Sequence, residues 1–188
     1  DVALEQREHT LILEYFDNGV EQRQEALLPD PENTQLQAEL QQTIDQRHAY
    51  RRDHFASLIE RYPNDYGYRY QYGEILFDEN LYDEAIAQFQ LAQRNPAVRL
   101  DTLVYLGRSY KEKGFHDLAI QQFTTAKSEI PVMDERKKES IYELAQCYEA
   151  KGQTEEAIGE YKEVYSADIS FRDVAAKIDA FYSSANEG

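Results

Sequence analysis

One spaced pattern of small and large side chains occurs three times between Tyr72 and Val164, and no other feature of the sequence limits the fold as tightly. The copies open at Tyr72-Gly73, Leu106-Gly107 and Leu144-Ala145. Three residues after each small residue stands a large one (Leu76, Tyr110, Tyr148), and twelve after it an alanine (Ala85, Ala119, Ala157). An aromatic ring follows four residues later (Phe89, Phe123, Tyr161), then Ala92, Ala126 or Val164. Steps of three and four keep side chains on one face of a helix. Each copy therefore reads as two antiparallel helices, with backbones approaching at the small residues while the rings fill the space between them. A unit of this kind buries its apolar face only against the next copy, which points to a solenoid.

The pattern resembles the tetratricopeptide repeat family over about Tyr66 to Ile169. Gly73 and Gly107 lie 34 residues apart, the family's period, and Pro131 closes the second copy where that family places proline. The third copy follows after 38 residues, so Pro131 to Lys138 are expected to add about one turn to its first helix. Pro96 stands one residue early, and the chain has no tryptophan. The resemblance implies an all-α, right-handed superhelix of helical hairpins. Asn80, Lys113-Gly114 and Lys151-Gly152 fall between the two helices of each copy, where the chain must reverse and glycine readily takes the left-handed conformation. Thr154, followed by Glu155 and Glu156, is expected to cap the third copy's second helix. Ser170-Phe171-Arg172-Asp173 resembles a capping box opening a last helix to about Tyr182. That helix offers Val174, Ile178 and Phe181 to cover the end of the array.

Upstream the pattern loosens. Ala26 and Pro31 share the spacing of Ala126 and Pro131, and Asp17-Asn18-Gly19 is expected to turn a short, degenerate hairpin. From Thr34 to Tyr62 there is neither glycine nor proline, which allows one helix of 29 residues, about 43 Å long. Its thin stripe of Leu36, Leu40 and Ile44 is expected to meet Leu11, Leu13 and Phe16 of the same chain, with a coiled-coil contact as the alternative. The expected organisation is thus a degenerate hairpin and long helix over 1–62, three repeats over 63–169, and a capping helix and tail over 170–188. The start Asp1-Val2-Ala3, without methionine, is expected of a trimmed chain or a part of a longer protein.

Charge narrows the partners. Twenty basic against 36 acidic residues give a net charge of −16, which repels nucleic acid and anionic lipid. The longest apolar run, Leu11 to Leu13, is far below the roughly 20 residues of a membrane-spanning helix, so no direct membrane insertion is expected. A single cysteine, Cys147, excludes an internal disulfide and fits a reducing, cytoplasmic setting.

Residues for chemistry are scattered. No two of His9, His48, His54 and His116 have the four-residue spacing that aims a pair at one metal, and a surface role is expected for them. Cys147 precedes Tyr148 within a repeat helix and is expected to pack rather than react. Acid pairs such as Asp83-Glu84 open second helices, where the dipole favours negative charge. No phosphate loop or nucleophile elbow occurs, so neither an enzyme, a cofactor nor a metal is expected.

The family resemblance implies a concave groove lined by the first helices and binding a partner peptide or helix. Steps of four and three along each first helix select Tyr70, Glu74 and Phe77; Val104, Arg108 and Lys111; and Tyr142, Gln146 and Glu149. Tyr70, Phe77, Arg108 and Tyr142 are the expected anchors, since aromatic and arginine side chains give much contact energy for little ordering. The family's carboxylate clamp of Lys and Asn is not matched, because the first helix offers Tyr70 and Glu74. The expected function is a non-enzymatic scaffold for a protein or peptide partner. The alternatives are a structural subunit, forming a homo-oligomer through the long helix, and a regulatory module of a larger protein.

Overall fold

The computed structural model describes residues 2–186; Glu187 and Gly188 of the expected tail lie outside the described residues, as does Asp1. Among the described residues the chain forms nine helices and no strand. They are α1 (Val2–Leu27), α2 (Thr34–Arg61), α3 (Tyr66–Asp78), α4 (Tyr82–Ala92), α5 (Arg99–Glu112), α6 (His116–Glu129), α7 (Glu135–Ala150), α8 (Thr154–Ala167) and α9 (Val174–Asn186). Two compact units divide at Glu60 and Arg61. No described helix is long and apolar enough to cross a membrane.

The first unit is a pair of long helices. Asp17-Asn18-Gly19 does not turn: α1 runs through it without a break. A Cβ at Gly19 would meet Thr43 Cγ2 and Arg23 Nη1 at 3.4 Å, so the glycine serves a close approach of α1 to α2 rather than a reversal. Asp17 pairs with Arg47 at 2.7 Å. This register sets Leu36 and Leu40 opposite Val20 to Leu27, not opposite Leu11, which stays 57% exposed. Further along, the His9 and His54 rings stack with centroids 3.7 Å apart, and Tyr50 Oη lies 3.2 Å from His9 Nδ1. The surface role expected for these two histidines is corrected. Each is half-buried against the other, because an antiparallel pair brings residues 45 positions apart face to face.

The second unit stacks three hairpins, α3–α4, α5–α6 and α7–α8, with α9 against the last. Phe89, Phe123 and Tyr161 are fully buried, each contributing on the order of 1.5–3 kcal/mol of transfer free energy. The reason for glycine at the head of the first two copies is steric. A Cβ at Gly73 would lie 2.6 Å from Phe89 Cε1, and one at Gly107 would lie 2.7 Å from Phe123 Cε1. In the third copy Ala145 is fully buried in the cluster that holds Tyr161.

The three reversals share one geometry. Asn80, Gly114 and Gly152 have φ of 61°, 74° and 72°. The amide after each donates to the carbonyl five residues back: Leu81 to Leu76 (2.8 Å), Phe115 to Tyr110 (2.8 Å) and Gln153 to Tyr148 (2.9 Å). With Asn80 donating to Phe77, Gly114 to Lys111 and Gly152 to Glu149, these are Schellman motifs. The chain passes directly from each motif into the next helix. Hence Gln153, not Thr154, occupies the N-cap of α8, and no side chain caps it. Side-chain caps appear at two other helix starts: Asp65 accepts from the Gly67 and Tyr68 amides of α3, and Asp134 from the Lys137 amide of α7.

The four extra residues of the third copy's spacing lie in helices and not in the loop before α7: α6 has 14 residues against 11 in α4, and α7 has 16 against 14 in α5. The capping box expected at Ser170 does not form. The Ser170 hydroxyl and amide both donate to Asp168, Arg172 takes a positive φ of 46°, and α9 begins at Val174. Val174, Ile178 and Phe181 of α9 nevertheless join the cluster of Tyr142, Tyr161 and Phe171 and close that end of the array.

Candidate functional site

Helices on the inside of a curved stack lie closer together than those outside. In the second unit the backbone of α3 comes within 8 Å of α5 and that of α5 within 8 Å of α7, whereas among the described residues α4 and α6, and α6 and α8, stay further apart, the latter two bridged by the long side chain of Lys127 to Glu160 and Glu163. The first helices therefore line the inner face, and their side chains compose the groove.

At its α3–α5 end stands an aromatic cluster. Tyr70 and Phe77 approach Tyr105 edge to face, with centroids 6.0 and 5.3 Å away, and Tyr105 stacks on buried Phe89 at 5.2 Å. Tyr70 Oη donates to Glu74 Oε1 at 2.9 Å, and the Tyr105 hydroxyl also hydrogen-bonds this carboxylate. Burial, partly offset by these two bonds, holds the Glu74 carboxyl above the usual carboxylate range, and Asp78 and Asp101 push it the same way. Burial and the nearby Glu74 raise the Tyr70 phenol as well.

The middle of the groove is a charge network around Glu143, a buried carboxylate. Arg108 Nε donates to Glu143 Oε1 at 2.6 Å while its guanidinium lies 5.9 Å from the Tyr105 ring centroid. Lys111 Nζ reaches Glu143 at 3.4 Å and Gln146 Oε1 at 2.5 Å. A cavity of about 330 Å³ opens beside this network, between Tyr70, Tyr105, Arg108 and the first turn of α7. Arg136, on its rim, pairs with Asp101 at 2.9 Å, and Arg172 bonds Glu139.

Of the nine residues selected from the sequence, six gather along this face: Tyr70, Glu74 and Phe77 at one end, and Arg108, Lys111 and Gln146 around Glu143. Val104 is buried in the cluster with Leu103 and Phe123 and also lines the cavity beside the charge network. Tyr142 is buried too, 5.5 Å from Tyr161 and 5.9 Å from Phe171 between centroids, and its hydroxyl donates to Asp173 at 2.6 Å. Burial and that bond push its phenol up to about 12. Glu149 accepts from Tyr161 Oη and Lys177 Nζ at 2.9 Å each, which ties it to α8 and α9.

Tyr105 and Glu143 carry the geometry but fall one residue past Val104 and Tyr142 in the selected steps. Widening each stripe by the neighbouring position finds both, since the inner face of a helix spans more than one row of side chains. The described residues contain no cluster of three or more His, Cys, Asp or Glu placed to hold a metal ion. Cys147 is fully buried and unpaired, and burial lifts its thiol to about 11.

Two models of the tetratricopeptide repeat match the sequence, over residues 52–98 and residues 139–167. No curated protein matches it. Among solved structures, MamA is 22% identical with a TM-score of 0.59, covering 80% of this chain and 87% of that one. YrrB, described as a TPR protein with an unusual peptide-binding site, is 17% identical with a TM-score of 0.60, covering 87% and 84%. TTC0263, a thermophilic TPR protein of Thermus thermophilus, is 16% identical with a TM-score of 0.55, covering 93% and 95%. At these identities the likeness concerns the fold. Repeated Gly-to-ring contacts, three reversals of one geometry and two matching repeat models together show that this chain carries tetratricopeptide repeats.

Proposed function

We propose that this protein is a non-enzymatic scaffold that holds a partner polypeptide along the inner face of α3, α5 and α7. The observation that carries the reading is the half-buried cluster of Tyr70, Phe77 and Tyr105 on that face, beside a cavity with room for a side chain. Rigid aromatic rings next to an arginine are the composition of interface hot spots. Arg108, Lys111 and Glu143 form a polar rim whose members are already oriented by one another, so little ordering is lost on binding.

Peptides selected from a random display library should bind with affinities readable by fluorescence anisotropy. Tyr105→Leu should weaken them about tenfold with helicity unchanged, the size of one hot-spot contact. Ala87→Arg, on the exposed outer side of α4, should leave affinity intact. Sensitivity to Ala87→Arg with indifference to Tyr105→Leu would place binding elsewhere and remove this function.

A second reading, self-association through the first unit, is favoured by one observation. Leu4, Leu11 and Tyr15 lie exposed at steps of seven and four along α1, a heptad-like stripe. Light scattering decides it: a monomer at all concentrations sinks self-association, and a dimer lost in Leu11→Glu, Tyr15→Glu supports it.

A further inference from the structure

The charges of the groove are not evenly matched. Its cations are occupied: Arg108 and Lys111 by Glu143, Arg136 by Asp101, and Arg172 by Glu139. Glu135 holds Lys138. Glu74 is different. Among the described residues no Lys, Arg or His pairs with it, and its hydrogen bonds come from neutral phenols. Asp78, one helical turn further along α3, likewise has no cationic partner among the described residues. The carboxylate is half-buried, so its charge is only partly answered by water, and the acids nearest it add to the same negative potential.

Around this carboxylate the rings are arranged as a cation would need them. Tyr70 and Phe77 meet Tyr105 at interplanar angles of 73° and 77°, which gives the cluster ring faces in crossed orientations rather than one flat stack. A ring face attracts a cation through its quadrupole, and more strongly where water is partly excluded. The Tyr105 ring already has one guanidinium beside it, that of Arg108. An acidic partner would find the groove's cations neutralised, whereas a basic one would find an unanswered carboxylate walled by aromatic faces.

We propose that the α3–α5 end of the groove receives a lysine or arginine side chain of the partner polypeptide, its cation seated on the Tyr70, Phe77 and Tyr105 rings and paired with the Glu74 carboxylate. This inference rests on the groove reading above and adds the chemistry of the partner. The aliphatic stem of the incoming side chain covers the rings while its charged end reaches Glu74. The site selects for positive charge at one position and leaves the rest of the bound segment unspecified. Binding weakens with salt and with acid, because protonating Glu74 removes the paired charge.

The test uses four probes on the full chain: the N-acetyl methylamides of lysine, arginine, norleucine and glutamate, followed through the ring-proton resonances of Tyr70, Phe77 and Tyr105. The lysine or arginine probe should give saturable shifts; norleucine, with the same aliphatic length, and glutamate should not. Glu74→Gln keeps an acceptor for the tyrosine hydroxyls while removing the charge, and should weaken the cationic probe about tenfold, the loss of one partly desolvated charge-assisted contact. Circular dichroism confirms that this variant folds. Equal shifts from lysine and norleucine, or unchanged affinity in a folded Glu74→Gln, would overturn the inference. Its failure is separable from failure of the groove: library-selected peptides that stay bound on the inner face after every Lys and Arg is replaced by norleucine contradict the cation site and leave the scaffold reading standing.

Discussion

Replacing Gly107 by alanine adds one methyl group where the backbone of α5 meets a ring. The added Cβ would lie 2.7, 2.8 and 2.9 Å from three atoms of Phe123, all closer than carbon atoms tolerate. Phe123 has no free side to retreat to, being fully buried among Leu103, Ala119 and Ala126. Overpacking of this kind costs about 1–3 kcal/mol. Alanine in a helix interior returns roughly 0.5–1 kcal/mol relative to glycine. The net expectation is a loss of up to about 2.5 kcal/mol, which lowers the melting temperature by up to about 10 °C at this chain length. Gly159 in α8 is the internal control, since a Cβ there would meet nothing within 4 Å. Gly159→Ala should therefore gain the propensity term alone and raise the melting temperature by about 1–4 °C. Thermal unfolding followed by far-ultraviolet circular dichroism reads both. A second cycle, Gly107→Ala with Phe123→Leu, should show a favourable coupling, because the smaller side chain makes room for the methyl. If Gly107→Ala stabilises as Gly159→Ala does, the close approach of helix to ring is not what holds the hairpins together.

Other expectations follow from individual side chains. The Cys147 thiol, fully buried and raised to about 11, should react with a thiol reagent at neutral pH only as fast as the second unit opens; rapid labelling of native protein would contradict its burial. His9 is held down from 6.5 to about 4 by burial first, then by His54 and Arg51. The unfolded chain therefore takes up a proton before the folded one does, so the first unit should be fully stable above about pH 6.5 and lose stability as pH falls towards 4. A His9 ring titrating near 6.5 by NMR would refute this. Lys113 pairs with Asp83 and Lys151 with Asp117, the same contact one repeat apart, and both acids are largely exposed. Lys113→Gln and Lys151→Gln should each change stability by no more than about 1 kcal/mol in chemical denaturation, and a larger loss would mean these surface pairs do more than such pairs usually do.

Much of the second unit was legible because its constraints are local and repeated. Gly73 with Phe89 and Gly107 with Phe123 lie sixteen residues apart in sequence and touch within one hairpin, so spacing alone revealed them. Asn80, Gly114 and Gly152 announced the reversals for the same reason: a left-handed residue at a helix end is a single-residue requirement. The misses share the opposite property. Gly19 has the sequence look of a turn, and only the approach of Thr43 from another helix shows why a glycine stands there. Thr154 and Ser170 looked like caps, yet the Schellman reversal leaves no room for Thr154 as N-cap, and Asp168 takes the Ser170 hydroxyl. The His9–His54 stack joins residues far apart in the chain and leaves no periodic trace. Within the groove, Tyr70, Glu74 and Phe77 were readable as one helical stripe, whereas Tyr105 and Glu143 matter through contacts between helices, which a stripe on one helix does not encode.

The most direct test of the scaffold account is a map of amide chemical shifts on the uniformly labelled chain as a library-selected peptide is added to saturation. The account predicts that the largest shifts cluster on α3, α5 and α7, centred on Tyr70, Tyr105 and Arg108, with α4, α6 and α8 little changed. Shifts concentrated on the outer helices, with the inner face silent at saturation, would contradict it.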